Sequence, residues 1–278
     1  MAAQAKTCNS RCLITARLTR ALSSRESRTI RSAIKRRSYM FQKSTVYAAL
    51  TAALLLNPCP AIAGEGRVDQ AENLEIEQGS FEFELQSIFV PRSNGEQGEW
   101  KFAPTIEYGL SDRLSIGLEI EFEKEAGEEL GFSEVGVQAK LVAISPDDAP
   151  VGLGIQTSVI FDRSGDIGSE TYFIADHDGG KIHLTGNLIL AVEPGDWSSL
   201  STSYVGRFDH AIGDSLSLGV ETGGELTGET RGRHWVGPVL SAASEEGALI
   251  PSFELSVFAP LTRETPAVQF RLELDWEF

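Results

Sequence analysis

The sequence predicts an all-β fold: a transmembrane antiparallel up-and-down β-barrel of about twelve strands, with ten or fourteen as the neighbouring counts. Three observations carry this. A secretory signal precedes the bulk of the chain, no run of 18 or more apolar residues follows it, and segment after segment downstream alternates polar and apolar residues with period two. An exported chain without a helical span is either soluble and extracytoplasmic or a barrel, and the segments decide between these.

The signal is read from the second methionine. From Met40 the chain runs "MFQKSTVYAALTAALLLNPCPAIAGEG": Lys43, an apolar stretch from Val46 to Leu56, Pro58, then Ala61-Ile62-Ala63. This three-part grammar sets a signal peptide at 40–63 and a mature start at Gly64. Residues 1–39, rich in Arg and Ser, read as an upstream leader from a mis-assigned start codon in preference to an organelle transit peptide. Cys59 raises lipid attachment, but Asn57-Pro58 stand where a lipoprotein signal wants small residues. Cys8, Cys12 and Cys59 all lie in this N-terminal part, so the rest of the chain offers no thiol chemistry. Residues 1–63 hold eleven Lys and Arg against the single acid Glu26, which leaves 13 basic and 39 acidic residues from Gly64 onward. A surface so acidic repels nucleic acid.

The strands follow in order. Phe81, Phe83, Leu85 and Phe89 share one face opposite Glu82, Glu84 and Gln86. Trp100, Phe102, Ile106 and Tyr108 stand opposite Lys101, Thr105 and Glu107. Leu114, Ile116, Leu118, Ile120 and Phe122 alternate strictly with Ser115, Gly117, Glu119, Glu121 and Glu123. Val135, Val137, Ala139 and Leu141 oppose Glu134, Gln138 and Lys140; Val151, Leu153, Ile155, Val159 and Phe161 oppose glycines, Gln156 and Asp162. Residues 170–177 alternate poorly and are assigned because the next strand, Ile182 to Val192, needs an antiparallel neighbour. Segments near 200–212, 215–226, 233–243, 252–261 and 267–278 complete twelve, and no segment reads as a helix.

The connectors alternate too. Ser111-Asp112, "SPDDAP", "DGG" and Gly213-Asp214 follow even-numbered segments, whereas "PRSNGEQG", "KEAGEELG", "RSGDIGSE", "EPGDWSS" and "TGETRGR" follow odd-numbered ones. Short turns at one end with both termini, and longer polar loops at the other, form the layout of an outer-membrane barrel. Trp100 and Trp235 at loop ends, with Tyr108, Trp276 and Phe278 near turn ends, read as two aromatic girdles. "YGLSDRLSIGLE" (108–119) and "HAIGDSLSLGVE" (210–221) align without gaps at an offset of 102 residues. Either a half-barrel is duplicated, or tight hairpins reuse one Asp-containing turn.

A soluble sandwich would alternate as well. Three features favour lipid: apolar faces about ten residues long, near the length of a tilted spanning strand; charges in mid-strand on the polar faces; and a last strand, "RLELDWEF", that ends on its apolar face. That strand, with Phe270, Leu272, Leu274, Trp276 and Phe278 in register, resembles the assembly signal of bacterial outer-membrane barrels, which implies outer-membrane lipid and the barrel-assembly machinery as partners. "APTIEYGLSDRLSIGLEIEFE", "VGVQAKL" with Lys140, "GNLIL" and "VGPVL" together resemble an outer-membrane transporter family linked to phenol-degradation pathways, implying small-molecule passage without naming a solute.

With polar faces inward, the lumen receives Glu82, Glu84, Glu107, Glu119, Glu121, Glu123, Glu134, Asp162, Asp209, Glu221, Glu225, Glu254, Glu273, Asp275 and Glu277, against Lys101, Lys140, Arg207 and Arg271. Such a pore favours cations; the alternative is that these groups cross-link the wall of a narrow lumen. The candidate lining residues are Glu107, Glu119, Glu121, Glu123, Lys140, Arg207, Asp209, Glu221, Glu225, Arg271 and Glu273. Glu119 and Glu221, equivalent in the echoed hairpins, are the first to test. His177, His183, His210 and His234 fall on different segments without metal spacing, no serine is marked as a nucleophile, and "GETRGRH" lacks the strand-to-helix context of a phosphate loop. No cofactor, metal or catalytic residue is expected. The reading is passive passage of small solutes through an acidic, cation-favouring lumen. The alternatives are a non-conducting structural or adhesive barrel, and an outer-membrane barrel enzyme.

Overall fold

A chain of amphipathic strands longer than a single hairpin can satisfy every edge only by closing on itself, and this one closes. The computed structural model describes residues 70–91, 98–124, 128–228, 230–244, 249–263, 265 and 268–278. The leader, the signal peptide, the Gly64 start and all three cysteines lie outside the described residues. Twelve strands follow in order: β1 (Phe81–Val90), β2 (Glu99–Ser111), β3 (Leu114–Lys124), β4 (Gly131–Ile144), β5 (Gly152–Asp162), β6 (Ile167–Asp178), β7 (Ile182–Val192), β8 (Ser201–Ala211), β9 (Leu216–Thr227), β10 (His234–Ala242), β11 (Ser252–Pro260) and β12 (Gln269–Glu277). Each pairs antiparallel with its sequence neighbours, and β1 pairs with β12 to close the barrel.

The closing seam runs in register from Glu82 opposite Glu277 to Phe89 opposite Phe270. At its end the Phe81 N–H donates to the Phe278 carbonyl (3.1 Å) and the Phe278 N–H donates to the Phe81 carbonyl (2.9 Å). The apolar faces point outward: Ile116, Val137, Leu141, Phe173 and Val220 are each 46–52% exposed in the bare protein, as side chains bathed in lipid are. Trp100 (50% exposed) lies edge-on to Phe89 and donates its indole N–H to the Ser87 hydroxyl at 2.7 Å. Trp276 packs on Phe83 across the seam, with centroids 5.7 Å apart.

Three expectations are corrected. Trp235 belongs to no outer girdle: it is 5% exposed and points inward beside Phe258, ring centroids 4.6 Å apart. β10 carries apolar residues on both faces, so its periodicity left the parity open. The indole lies over Gly223 of β9, where a Cβ would stand 2.4 Å from Trp235 Cζ2. Second, the connector at 163–170 shortens to 163–166, because β6 begins at Ile167 and pairs it with Phe161. Third, the turn end is not uniformly short, since 243–251 join β10 to β11. Among the loops, 193–200 is held by Asp196, which accepts from the Ser198 hydroxyl (2.6 Å) and N–H (3.0 Å); these bonds hold its carboxyl below the usual carboxylate range.

Candidate functional site: the barrel interior

The inward positions build two unlike halves. On β8 to β12 the interior is a dense ionic wall. Arg271, 1% exposed, donates through Nη2 to both Glu221 and Glu254 at 2.8 Å, with its guanidinium 5.0 Å above the Phe258 ring. Arg207 reaches Asp209 through Nε (2.6 Å), Glu254 through Nη1 (2.5 Å) and the Ser241 hydroxyl through Nη2 (3.0 Å). Glu221 is wholly buried. Four sequence candidates, Arg207, Asp209, Glu221 and Arg271, thus come together around Glu254. Glu273 follows on the same face of β12, opposite Gln86 and Glu254.

On β1 to β6 the acids are less compensated. Lys140 lies between Glu72 (3.6 Å) and Glu107 (3.8 Å), and Glu107 also accepts from Gln138 Nε2 (3.3 Å). Glu121 is paired with Lys101. Three cavities adjoin one another here, the loop-end one reaching across to residues of β7, β8 and β9 as well. A loop-end cavity of about 310 Å³ is lined by Glu99, Glu121, Glu123, Glu134, Glu170, Glu193 and Glu225 with Lys101 and Arg233. A neck of about 20 Å³ lies between Glu119, Glu121, Glu134, Glu170, Ser158 and Ile160. Below it a cavity of about 90 Å³ is lined by Glu82, Glu84, Glu107, Glu119, Lys140 and Gln156 among others. The neck shares Glu170 with both neighbours.

The chain before β1 enters the interior from the turn end, which the strand periodicity did not announce. Asn187, 4% exposed, accepts the Glu72 N–H at 2.7 Å and donates Nδ2 to the Glu72 carbonyl at 2.9 Å, gripping the backbone of one residue through both of its polar groups. Gln70 meets Gln86 through their amides. Ala71 and Leu74 join Val142, Tyr172, Ile174, Ile189, Val205, Trp235 and Phe258 in an apolar cluster inside the barrel. Leu74 fits against Gly154 of β5, where a Cβ would stand 2.4 Å from its Cδ2.

Sequence reasoning missed Glu72, Glu170, Asp176 and this cluster. Tyr172 and Ile174 face inward from β6, which blurs the alternation that would have placed Glu170 and Asp176. Asp176, 2% exposed, accepts from the Thr185 hydroxyl (2.9 Å) and meets His183 Nε2 (2.5 Å). His177 sits on the Pro150 carbonyl and His234 on the Tyr204 hydroxyl (3.2 Å). Among the described residues no three His, Cys, Asp or Glu side chains come together to hold a metal ion. At the C-terminus Phe270, Leu272 and Phe278 are 40%, 41% and 61% exposed on the outer face, with Leu274 and Trp276 on that face between them.

No protein-family model matches the chain, and no curated protein matches it in sequence. In fold it is similar to solved outer-membrane proteins. The KdgM porin is 10% identical with a TM-score of 0.53, over 71% of this chain and 99% of that one. An outer membrane channel from Pseudomonas putida F1 is 14% identical with a TM-score of 0.54, over 76% of this chain and all of that one. A KdgM porin in complex with disordered oligogalacturonate is 10% identical, with a TM-score of 0.52 over 72% of this chain. At such identities the likeness is one of fold.

Proposed function

We propose that this chain is an outer-membrane barrel for the passive passage of small cationic solutes, exported through a cleaved signal peptide and inserted by the barrel-assembly machinery. One observation carries the reading: three adjoining cavities descend the lumen with carboxylates outnumbering bases at each level. Carboxylates lining a narrow path attract cations and repel anions. The fold shared with porins and channels supports passage over catalysis, and membership of a transporter family linked to phenol degradation stays part of this proposal. Oligogalacturonate, the polyanion held by a KdgM porin, is the wrong charge for this lining.

Purified protein in a planar bilayer under a KCl gradient is expected to give a reversal potential of cation-selective sign. Absence of conductance would sink the passage reading, and anion selectivity would sink the role given to the acids. A second reading, a closed structural barrel, is favoured by residues 70–76 packed in the interior. It predicts silence in the bilayer that persists when this segment is removed.

A further inference from the structure

Resting on that reading, we propose that the carboxylate row along β3 is a binding track for linear diamines and polyamines. Glu119, Glu121 and Glu123 occupy successive inward positions on one strand, so they repeat at about 6.8 Å, twice the rise per residue. That spacing suits ammonium groups joined by a short alkyl chain, and the acids are too dispersed to converge on a metal ion. Glu134 and Glu170 add carboxylates across the neck, and Ile160, 7% exposed there, offers an apolar surface for methylene groups.

A second observation points to a ligand with N–H donors. Gln156 is 3% exposed, lines the cavity that Glu119 and Glu170 share, and its Oε1 accepts no hydrogen bond. A buried carbonyl oxygen left without a donor is destabilising, and an ammonium in the cavity would relieve it. The interior also shows what such acids accept: the primary ammonium of Lys101 rests on Glu121 of the row, and that of Lys140 lies beside Glu107 of β2.

The test is titration calorimetry on the detergent-solubilised barrel with putrescine, butylamine and magnesium chloride. Two ammonium groups on one row act as a linked pair, so putrescine is expected to bind at least about tenfold tighter than butylamine and to resist displacement by equimolar magnesium. The double variant Glu119→Gln, Glu170→Gln, shown to be folded by heat-modifiable gel migration, is expected to lose at least about tenfold in putrescine affinity. Equal affinity for the two amines, ready displacement by magnesium, or an unaffected double variant would overturn the proposal. A barrel that conducts potassium yet fails this titration loses the polyamine track and keeps the passage reading. One that binds putrescine without conducting loses the passage reading instead.

Discussion

Arg271 and Glu121 are both inward-facing charged side chains, and their surroundings give them different weight. Arg271 is 1% exposed, and two carboxylates depend on one of its nitrogens. Removing one partner of a buried ion pair typically costs about 3–5 kcal/mol because the remaining charge stays buried and uncompensated. Arg271→Met is therefore expected to lower the temperature of the heat-modifiable transition markedly. Arg271→Lys should fall between, since an ammonium keeps the charge but loses the planar guanidinium that lies over the Phe258 ring. Glu121 is 6% exposed and pairs with the more accessible Lys101 at the floor of the wide cavity, so Glu121→Gln should lower that transition less than Arg271→Met does and should act on ion selectivity as well. A transition lowered equally by both substitutions would contradict this division.

Two elements decide whether the barrel closes and whether it is open. The closing strand was the most legible part of the sequence, because β12 alternates without a break and the face it turns outward beside β1 follows from parity alone. Deleting Phe278 removes two backbone hydrogen bonds to Phe81, each worth about 0.5–1.5 kcal/mol net, which is small beside a complete barrel. A severalfold loss of assembled, heat-modifiable protein would thus mean that the terminal Phe is read during insertion; an unchanged yield would remove that role. The segment before β1 was illegible for the opposite reason. Gln70 to Gln78 has no strand period, and its contacts with Asn187, Lys140 and Gly154 come from residues 68 or more positions away. Asn187→Ala cuts both bonds to the Glu72 backbone, a loss of about 1–3 kcal/mol for groups left buried without partners. The described residues contain no cysteine, so Ala71→Cys serves as a reporter. Its maleimide labelling is expected to rise at least about tenfold in the Asn187→Ala background, and equal labelling in both backgrounds would refute the grip.

At the scale of the whole barrel, the echoed hairpins show how far sequence similarity carries. β3 and β9 lie six strands apart, on opposite sides, and Glu119 and Glu221 both point inward with a glycine beside each on the following strand, Gly136 and Gly237. Parity and strand count were readable because they are local. What separates the two glutamates is the residue across the preceding strand: Thr105 faces Glu119, whereas Arg207 faces Glu221. Arg271 then arrives from β12 to complete the wall, a pairing that only closure of the barrel brings about. One echoed position therefore borders the cavities on one side and belongs to the ionic wall on the other. Glu221→Gln strips a wholly buried carboxylate from between two arginines and is expected to cost about 3–5 kcal/mol, read as a lower heat-modifiable transition. Glu119→Gln should leave that transition in place and move the reversal potential in a KCl gradient toward zero, since one of the acids at the neck is gone. If Glu221→Gln alone shifted selectivity and Glu119→Gln alone reduced stability, the assignment of the two halves would be inverted. Two parallel effects would mean that the barrel conducts through a symmetric lumen.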